Sequence, residues 1–239
     1  MNASPSTSEH IVKRYDDELK RLTGEIQRMG EIALAQLDAA IDAVMERDSD
    51  IAMKIVQSDA SIDALEHDVS HDVVRLLALR QPMARDLREI LAALRIAADI
   101  ERIGDYAANL AKRSLALNLL PPVPHTLGLD ALGRLAVQQV RDVLAAYRTR
   151  DAEAAQHVRA RDVELDTLHT SLFRELLTYM MEDARAITPC THLLFMAKNL
   201  ERVGDHATNI AENVWFLVHG EGLMPPREKR DEASLPPTT

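Results

Sequence analysis

Apolar residues recur at intervals of three and four along nearly the whole chain, which is the period of an amphipathic α-helix. Between Ile11 and Met45 the series Leu19, Leu22, Ile26, Met29, Leu34, Leu37, Ile41 and Val44 runs unbroken. Arg47-Asp48-Ser49-Asp50 interrupts it, and Asp48 or Ser49 carries the short side-chain oxygen that caps a helix N-terminus. A second helix is predicted over 51–79, stopped by Gln81-Pro82. Pro82 suits the first turn of a third helix reaching Leu117, because the N–H it lacks has no partner at that position. Pro121-Pro122-Val123-Pro124 reads as a linker. A second triplet of helices is predicted over 127–147, 152–181 and 188–218, with Asp151 capping the middle one and Gly220 ending the last.

The two triplets are copies of one unit. Glu101-Arg-Ile-Gly-Asp105-Tyr-Ala-Ala-Asn109-Leu-Ala111 precedes Glu201-Arg-Val-Gly-Asp205-His-Ala-Thr-Asn209-Ile-Ala211 by 100 residues, with seven of eleven positions identical. Upstream, Asp59 and Asp63 answer to Asp162 and Asp166 at an offset of 103. The three-residue difference falls near the following inter-helix turn, where insertions are tolerated. Long antiparallel helices joined by short turns pack as bundles. The expected architecture is all-α, with two tandem pseudo-symmetric three-helix bundles built from six long helices. Residues 10–120 form the first repeat, 125–220 the second, and 221–239 a flexible, Pro-rich and charged tail.

Composition narrows the chemistry. With 28 Lys and Arg against 38 Asp and Glu, the net charge of −10 has the wrong sign for gripping nucleic acid or an anionic membrane. Only 8 glycines and 10 prolines leave few turns, and hence few, long elements. The single Cys190 excludes an internal disulfide and any cysteine-based metal site. The first ten residues carry no apolar signal core, and no stretch is long and apolar enough to span a bilayer, so a cytoplasmic location is expected. Phosphate-cradling glycine loops, a nucleophile elbow and His-Glu-x-x-His are all missing, which argues against an enzyme.

What stands out is the arrangement of acids. Ile96, Ile100, Ile103, Ala107 and Leu110 share one side of the third helix, and Glu101, Asp105 and Asn109 stack on the other. The sixth helix repeats this, with Leu200, Val203, Ala207 and Ile210 inward and Glu201, Asp205 and Asn209 outward. Asp59, Asp63 and Glu66 share a stripe on the second helix, as do Asp162, Asp166 and His169 on the fifth. Acids at i and i+4 repel by a few tenths of a kcal/mol, roughly the gain that an acid–base pair would bring instead. One reading is a solvated charged face on which Arg102 and Arg202 make weak ion pairs. The other is convergence of neighbouring stripes into all-oxygen cation sites suited to Mg²⁺, Ca²⁺, Mn²⁺ or iron. Gly104 and Gly204, mid-helix at a cost of about 1 kcal/mol each, mark close approach by a neighbouring helix or a bound species. His206 is a weak ligand candidate because Tyr106 stands at its counterpart. His169, at the Glu66 position, is a somewhat better one. Cys190, Trp215 and Phe216 read as core or interface residues.

The doubled Glu-Arg-x-Gly-Asp-x-Ala-x-Asn motif resembles the signature of the PhoU family of phosphate-signalling regulators. Gln81-Pro-Met-Ala-Arg-Asp-Leu-Arg88 and Thr191-His-Leu-Leu-Phe-Met-Ala-Lys-Asn-Leu200 resemble the segments that precede it, so the likeness covers about residues 10 to 220. The resemblance implies two pseudo-symmetric three-helix bundles, often in a homodimer. It also implies a cytoplasmic negative regulator of phosphate uptake and of the phosphate-starvation response, an adaptor rather than an enzyme. The partners it implies are the phosphate ABC transporter, through its ATPase subunit, and a membrane sensor histidine kinase, with contact to the membrane through those partners only. Some members bind multinuclear iron or another divalent metal (zinc, nickel, manganese or magnesium) on surface carboxylate clusters. Carried over, the ligands are Asp59, Asp63, Glu101 and Asp105 in the first repeat and Asp162, Asp166, Glu201 and Asp205 in the second. Ala186 stands where the first repeat has Asp86, and His169 where it has Glu66, so equal metal occupancy is not expected. Rival readings are a metal-binding protein for metal handling or metal-dependent hydrolysis, and a structural dimerisation module.

Overall fold

The computed structural model describes residues 7–80, 82–122 and 127–220. They form α1 (Thr7–Met45), α2 (Ser49–Ser58), α3 (Ala60–Arg80), α4 (Arg85–Asn118), α5 (Leu127–Thr149), α6 (Ala152–Glu182) and α7 (Ile187–His219), with a short 3₁₀ turn at Ala184–Ala186. The protein is thus an all-α pair of three-helix bundles made of six rods, the second rod being α2 and α3 in sequence. Among the described residues no helix is long and apolar enough to cross a membrane. The tail 221–239 lies outside the described residues, as do the linker positions 123–126.

The caps follow the side chains. Asp48 accepts hydrogen bonds from the backbone N–H groups of Asp50 (2.9 Å) and Ile51 (3.0 Å), and Asp151 accepts one from Ala154 (2.9 Å). Each such cap contributes about 1 kcal/mol. The residues before them, Arg47 and Arg150, occupy the left-handed region at φ 56° and 55°. Arg47 repays that strain by donating to Leu117 O (3.0 Å) and Leu120 O (2.7 Å), the open end of α4. Gly220, at φ 78°, ends α7.

Two expectations need correction. The helix predicted over 51–79 is broken at Asp59. The break arises because Ile62 N–H bonds to Asp59 O (3.0 Å) rather than reaching Ser58 O. The freed Ser58 carbonyl accepts instead from Ser61 Oγ (2.6 Å) and Gln36 Nε2 (3.4 Å). Short hydroxyls compete with the helix ladder in this way. Pro82 also lies outside the third rod, which starts at Arg85. Ala84, at φ 49°, turns the chain there.

In the first bundle α1, α2 and α3 pack on α4; in the second, α5 and α6 pack on α7. The halves join through α4 against α7 and α1 against α5. One hydrophobic core runs through both, including Leu37, Ile100 and Ile103 in the first half and Leu165, Leu200 and Val203 in the second. The α1–α5 contact is reciprocal. A Cβ on Gly30 would lie 2.6 Å from Leu144 Cδ2, and one on Gly133 would lie 2.8 Å from Ile41 Cδ1. The offset of 103 relates both pairs.

Candidate metal centre

In the first repeat the acidic stripes of the second and third rods converge. Asp59, between α2 and α3, Asp63 on α3 and Asp105 on α4 each present a carboxylate oxygen within 4.8 Å of the other two. Glu101, one turn before Asp105, shares the field. Burial raises its pKa above the ordinary carboxylate value, helped by Asp105, Asp63 and Glu66, while Arg102 opposes. Asp59 is raised as well, first by burial and then by Asp105 and Asp63, with Lys112 pulling the other way. Glu66 accepts a hydrogen bond from Ser70 Oγ (2.7 Å).

Two cations edge the cluster. Arg102 Nε lies 3.3 Å from Glu101 Oε2 and its Nη1 3.1 Å from Asp105 Oδ2. Lys112 Nζ lies 3.7 Å from Asp59 Oδ2. Both bases are about half exposed, so solvent screens these pairs. Hard divalent cations and iron favour such an all-oxygen donor set, and a cation there offsets repulsion that the two bases leave in place. The residues therefore fit a bound metal. Asp86 is not part of the set. It lies in the first turn of α4, fifteen residues before Glu101, or about 22 Å along the helix axis.

The second repeat departs from the expected outward stripe. Asp162 is 1% exposed, Asp166 4%, His169 4% and Glu201 5%; Asp205 is half-buried. Among the described residues no group of three donors as close as the first-repeat triad forms there. The cause is close packing of the unbroken α6 on α7. A Cβ at Gly204 would stand 2.3 Å from Leu165 Cδ2, 2.7 Å from Asp162 Oδ1 and 3.1 Å from Gln139 Oε1. Both repeat glycines thus admit a neighbouring helix's side chains; at Gly104 the visitor is Ile62, at 2.6 Å. Lys198 Nζ lies 2.9 Å from Glu201 Oε2.

The minor candidates fall into place. His206 Nδ1 lies 2.8 Å from Asp99 Oδ1 on α4, and the His206 ring sits beside Tyr106, 5.7 Å between centroids, where the halves meet. Arg202 reaches over the Tyr106 ring at 6.0 Å. Cys190 is fully buried, and burial raises its thiol pKa, which keeps it unreactive. Trp215 stacks on His219 at 4.0 Å, and Phe216 lies under Arg95 at 5.7 Å. Sequence reasoning missed Gln36 and Ser58, whose hydrogen bond ties α1 to the end of α2 one residue before Asp59. The available signal was Gln139, which stands 103 residues after Gln36.

The PhoU domain matches the chain twice, over residues 26–114 and 129–214, and the two matches begin 103 and end 100 residues apart. The chain belongs to the PhoU family. Among PhoU-family relatives, the Phosphate-specific transport system accessory protein PhoU homolog of Xylella fastidiosa (strain 9a5c) is 67% identical over 225 residues. The match spans 94% of this chain and 95% of that one. The Phosphate-specific transport system accessory protein PhoU of Escherichia coli (strain K12) is 33% identical over 218 residues, 91% of this chain and 90% of its own. The crystal structure of PhoU from Pseudomonas aeruginosa superposes with a TM-score of 0.85 at 35% identity, covering 87% of this chain and all of that one. That of the phosphate transport system regulatory protein PhoU from Streptococcus pneumoniae gives 0.80 at 28% identity, covering 87% and 98%.

Proposed function

We propose that this chain is an accessory regulator of phosphate-specific transport. In this reading it restrains phosphate uptake and the phosphate-starvation response as a cytoplasmic, non-enzymatic adaptor. The observation that carries the reading is 67% identity, over 94% of the chain, to a protein named for that accessory role. The finer reading places the protein, as a homodimer, between the ATPase of the phosphate ABC transporter and a sensor histidine kinase. An adaptor of this kind shifts its partners' equilibrium by binding one of their states more tightly than another. The test is deletion of the gene in its host with a phosphate-starvation reporter, alongside co-purification with the transporter ATPase. Derepression in high phosphate, reversed by the wild-type gene, is expected. Unchanged repression together with no ATPase in the eluate overturns the reading.

The carboxylate triad of the first repeat favours a second reading, in which the protein also binds a metal. Asp59, Asp63 and Asp105 would hold a hard divalent cation or iron, with Glu101 beside them. Bound there, the ion would supply positive charge that links α3 to α4. Titration with MnCl2 after chelator treatment tests this, and Asp105→Ala should abolish the binding.

A further inference from the structure

Gln36 and Gln139 occupy equivalent places in the two repeats, on α1 and α5, but do different things. Gln36 Nε2 donates to Ser58 Oγ (2.9 Å) and more distantly to Ser58 O (3.4 Å). Ser58 Oγ in turn donates to Ile55 O (3.0 Å), and Ser61 Oγ closes on Ser58 O (2.6 Å). These bonds satisfy a carbonyl withdrawn from the helix ladder, and they hold the break at Asp59. In the second repeat Arg161 stands at the place of Ser58 and Glu164 at that of Ser61. Neither offers a short hydroxyl, and α6 runs through unbroken. Gln139 is 1% exposed, and neither of its amide atoms has a partner among the described residues.

The consequence is read at the two glycines. Beside Gly204 the nearest atoms come from Leu165, Asp162 and Gln139; beside Gly104 the three nearest all come from Ile62, the counterpart of Leu165. At this break the Asp59 carboxylate does not take the place beside the glycine that Asp162 takes in the second repeat, and lies instead within 4.8 Å of Asp63 and Asp105. We propose that Gln36 and Ser58 are positioning residues for a divalent cation held by Asp59, Asp63 and Asp105, and that Arg161, in place of Ser58, confines that site to the first repeat. The inference rests on the metal-binding reading given above.

The test uses the full-length chain, stripped with chelator and titrated with MnCl2, with free Mn²⁺ read by electron paramagnetic resonance. Wild type is expected to take up one Mn²⁺ per chain. Ser58→Arg, which copies the second repeat, and Gln36→Met, which keeps side-chain length but removes the amide, should each weaken binding tenfold or more. Ser58→Thr, which keeps the hydroxyl, should stay within twofold of wild type. Ser61→Ala, at an exposed position, serves as a further variant if Ser58→Arg does not fold; it too should weaken binding. Far-UV circular dichroism and melting in chelator separate this effect from loss of structure. Wild-type affinity in the variants that remain folded, or two equal Mn²⁺ sites in wild type, would overturn the proposal while leaving metal binding itself standing. No Mn²⁺ uptake by wild type overturns both.

Discussion

His206 on α7 faces Asp99 on α4 across the junction between the repeats, with 2.8 Å between Nδ1 and Oδ1. Asn209 Nδ2 donates to the same carboxylate oxygen at 3.2 Å. One mostly buried acid on the first half thus collects two groups from the second. Removing a charged acceptor from such a place leaves its donors unsatisfied, at about 1–3 kcal/mol. Asp99→Ala should lower the unfolding free energy from urea melts by that amount, through the midpoint and not the slope, and Asp99→Asn by less. An unchanged midpoint in Asp99→Ala would show that the contact carries no stability.

The glycines offer a graded series. Nothing lies within 4 Å of a Cβ on Gly24, so Gly24→Ala should stabilise α1 by up to about 1 kcal/mol. At Gly104 the closest approach of the added methyl is to the flexible tip of Ile62, with Ile62 Cγ2 and Cβ at ordinary contact distance, and the helix gain offsets much of the strain. At Gly204 it meets Leu165 and two buried polar side chains together, and overpacking of that kind costs about 1–3 kcal/mol. Thermal unfolding should rank Gly24→Ala above wild type, Gly104→Ala below Gly24→Ala, and Gly204→Ala lowest. A Gly204→Ala protein as stable as wild type would contradict the packing described.

Glu25 sets a pH dependence. Burial raises its pKa, Arg21 lowers it, and Asp72 and Asp68 raise it further; the net direction is up. The native state therefore takes up this proton before the unfolded chain does. Its contribution to stability grows as pH falls from neutral through the raised value, and levels off below the unfolded value of about 4.3. Glu25→Gln should be more stable than wild type at pH 7, and the advantage should shrink toward pH 4. Denaturant melts at both pH values check the sign.

The eight carboxylates divide by repeat. In a chelated sample, Asp59→Ala and Asp105→Ala should fold normally, since both native side chains are partly exposed. Added MnCl2 should raise the melting temperature of wild type, and of Asp205→Ala, but of neither first-repeat variant. A shift lost in Asp205→Ala and kept in Asp105→Ala would place the cation in the other half.

Most of the fold was legible in the chain because helix period, caps and repeat agree. Leu19 to Val44, Ile96 to Leu110 and Leu200 to Ile210 turn the expected faces to the core, although Leu34 remains half-buried. The break at Asp59 was hidden. Ile55, Ile62, Val69 and Val73 keep their spacing across it, and the cause lies in bonds from Gln36 on another rod. Periodicity places Glu201 opposite the apolar residues of its own helix. It does not say which neighbour covers that side, and so the burial of Asp162, Asp166 and Glu201 could not be read from spacing. The helix start at Arg85 was missed because Pro82 fits a first turn as well as it fits the bend at Ala84.

Gly30 against Leu144 and Gly133 against Ile41 have a further effect. Each half carries both the notch and the peg of the other, so neither can enlarge a side chain along that seam without an answering loss across it. Acids at the rim face no such bargain. Duplicated genes can let one copy wander; here the acids and the middle rod have wandered, while along this seam the outline of each half is held by its twin.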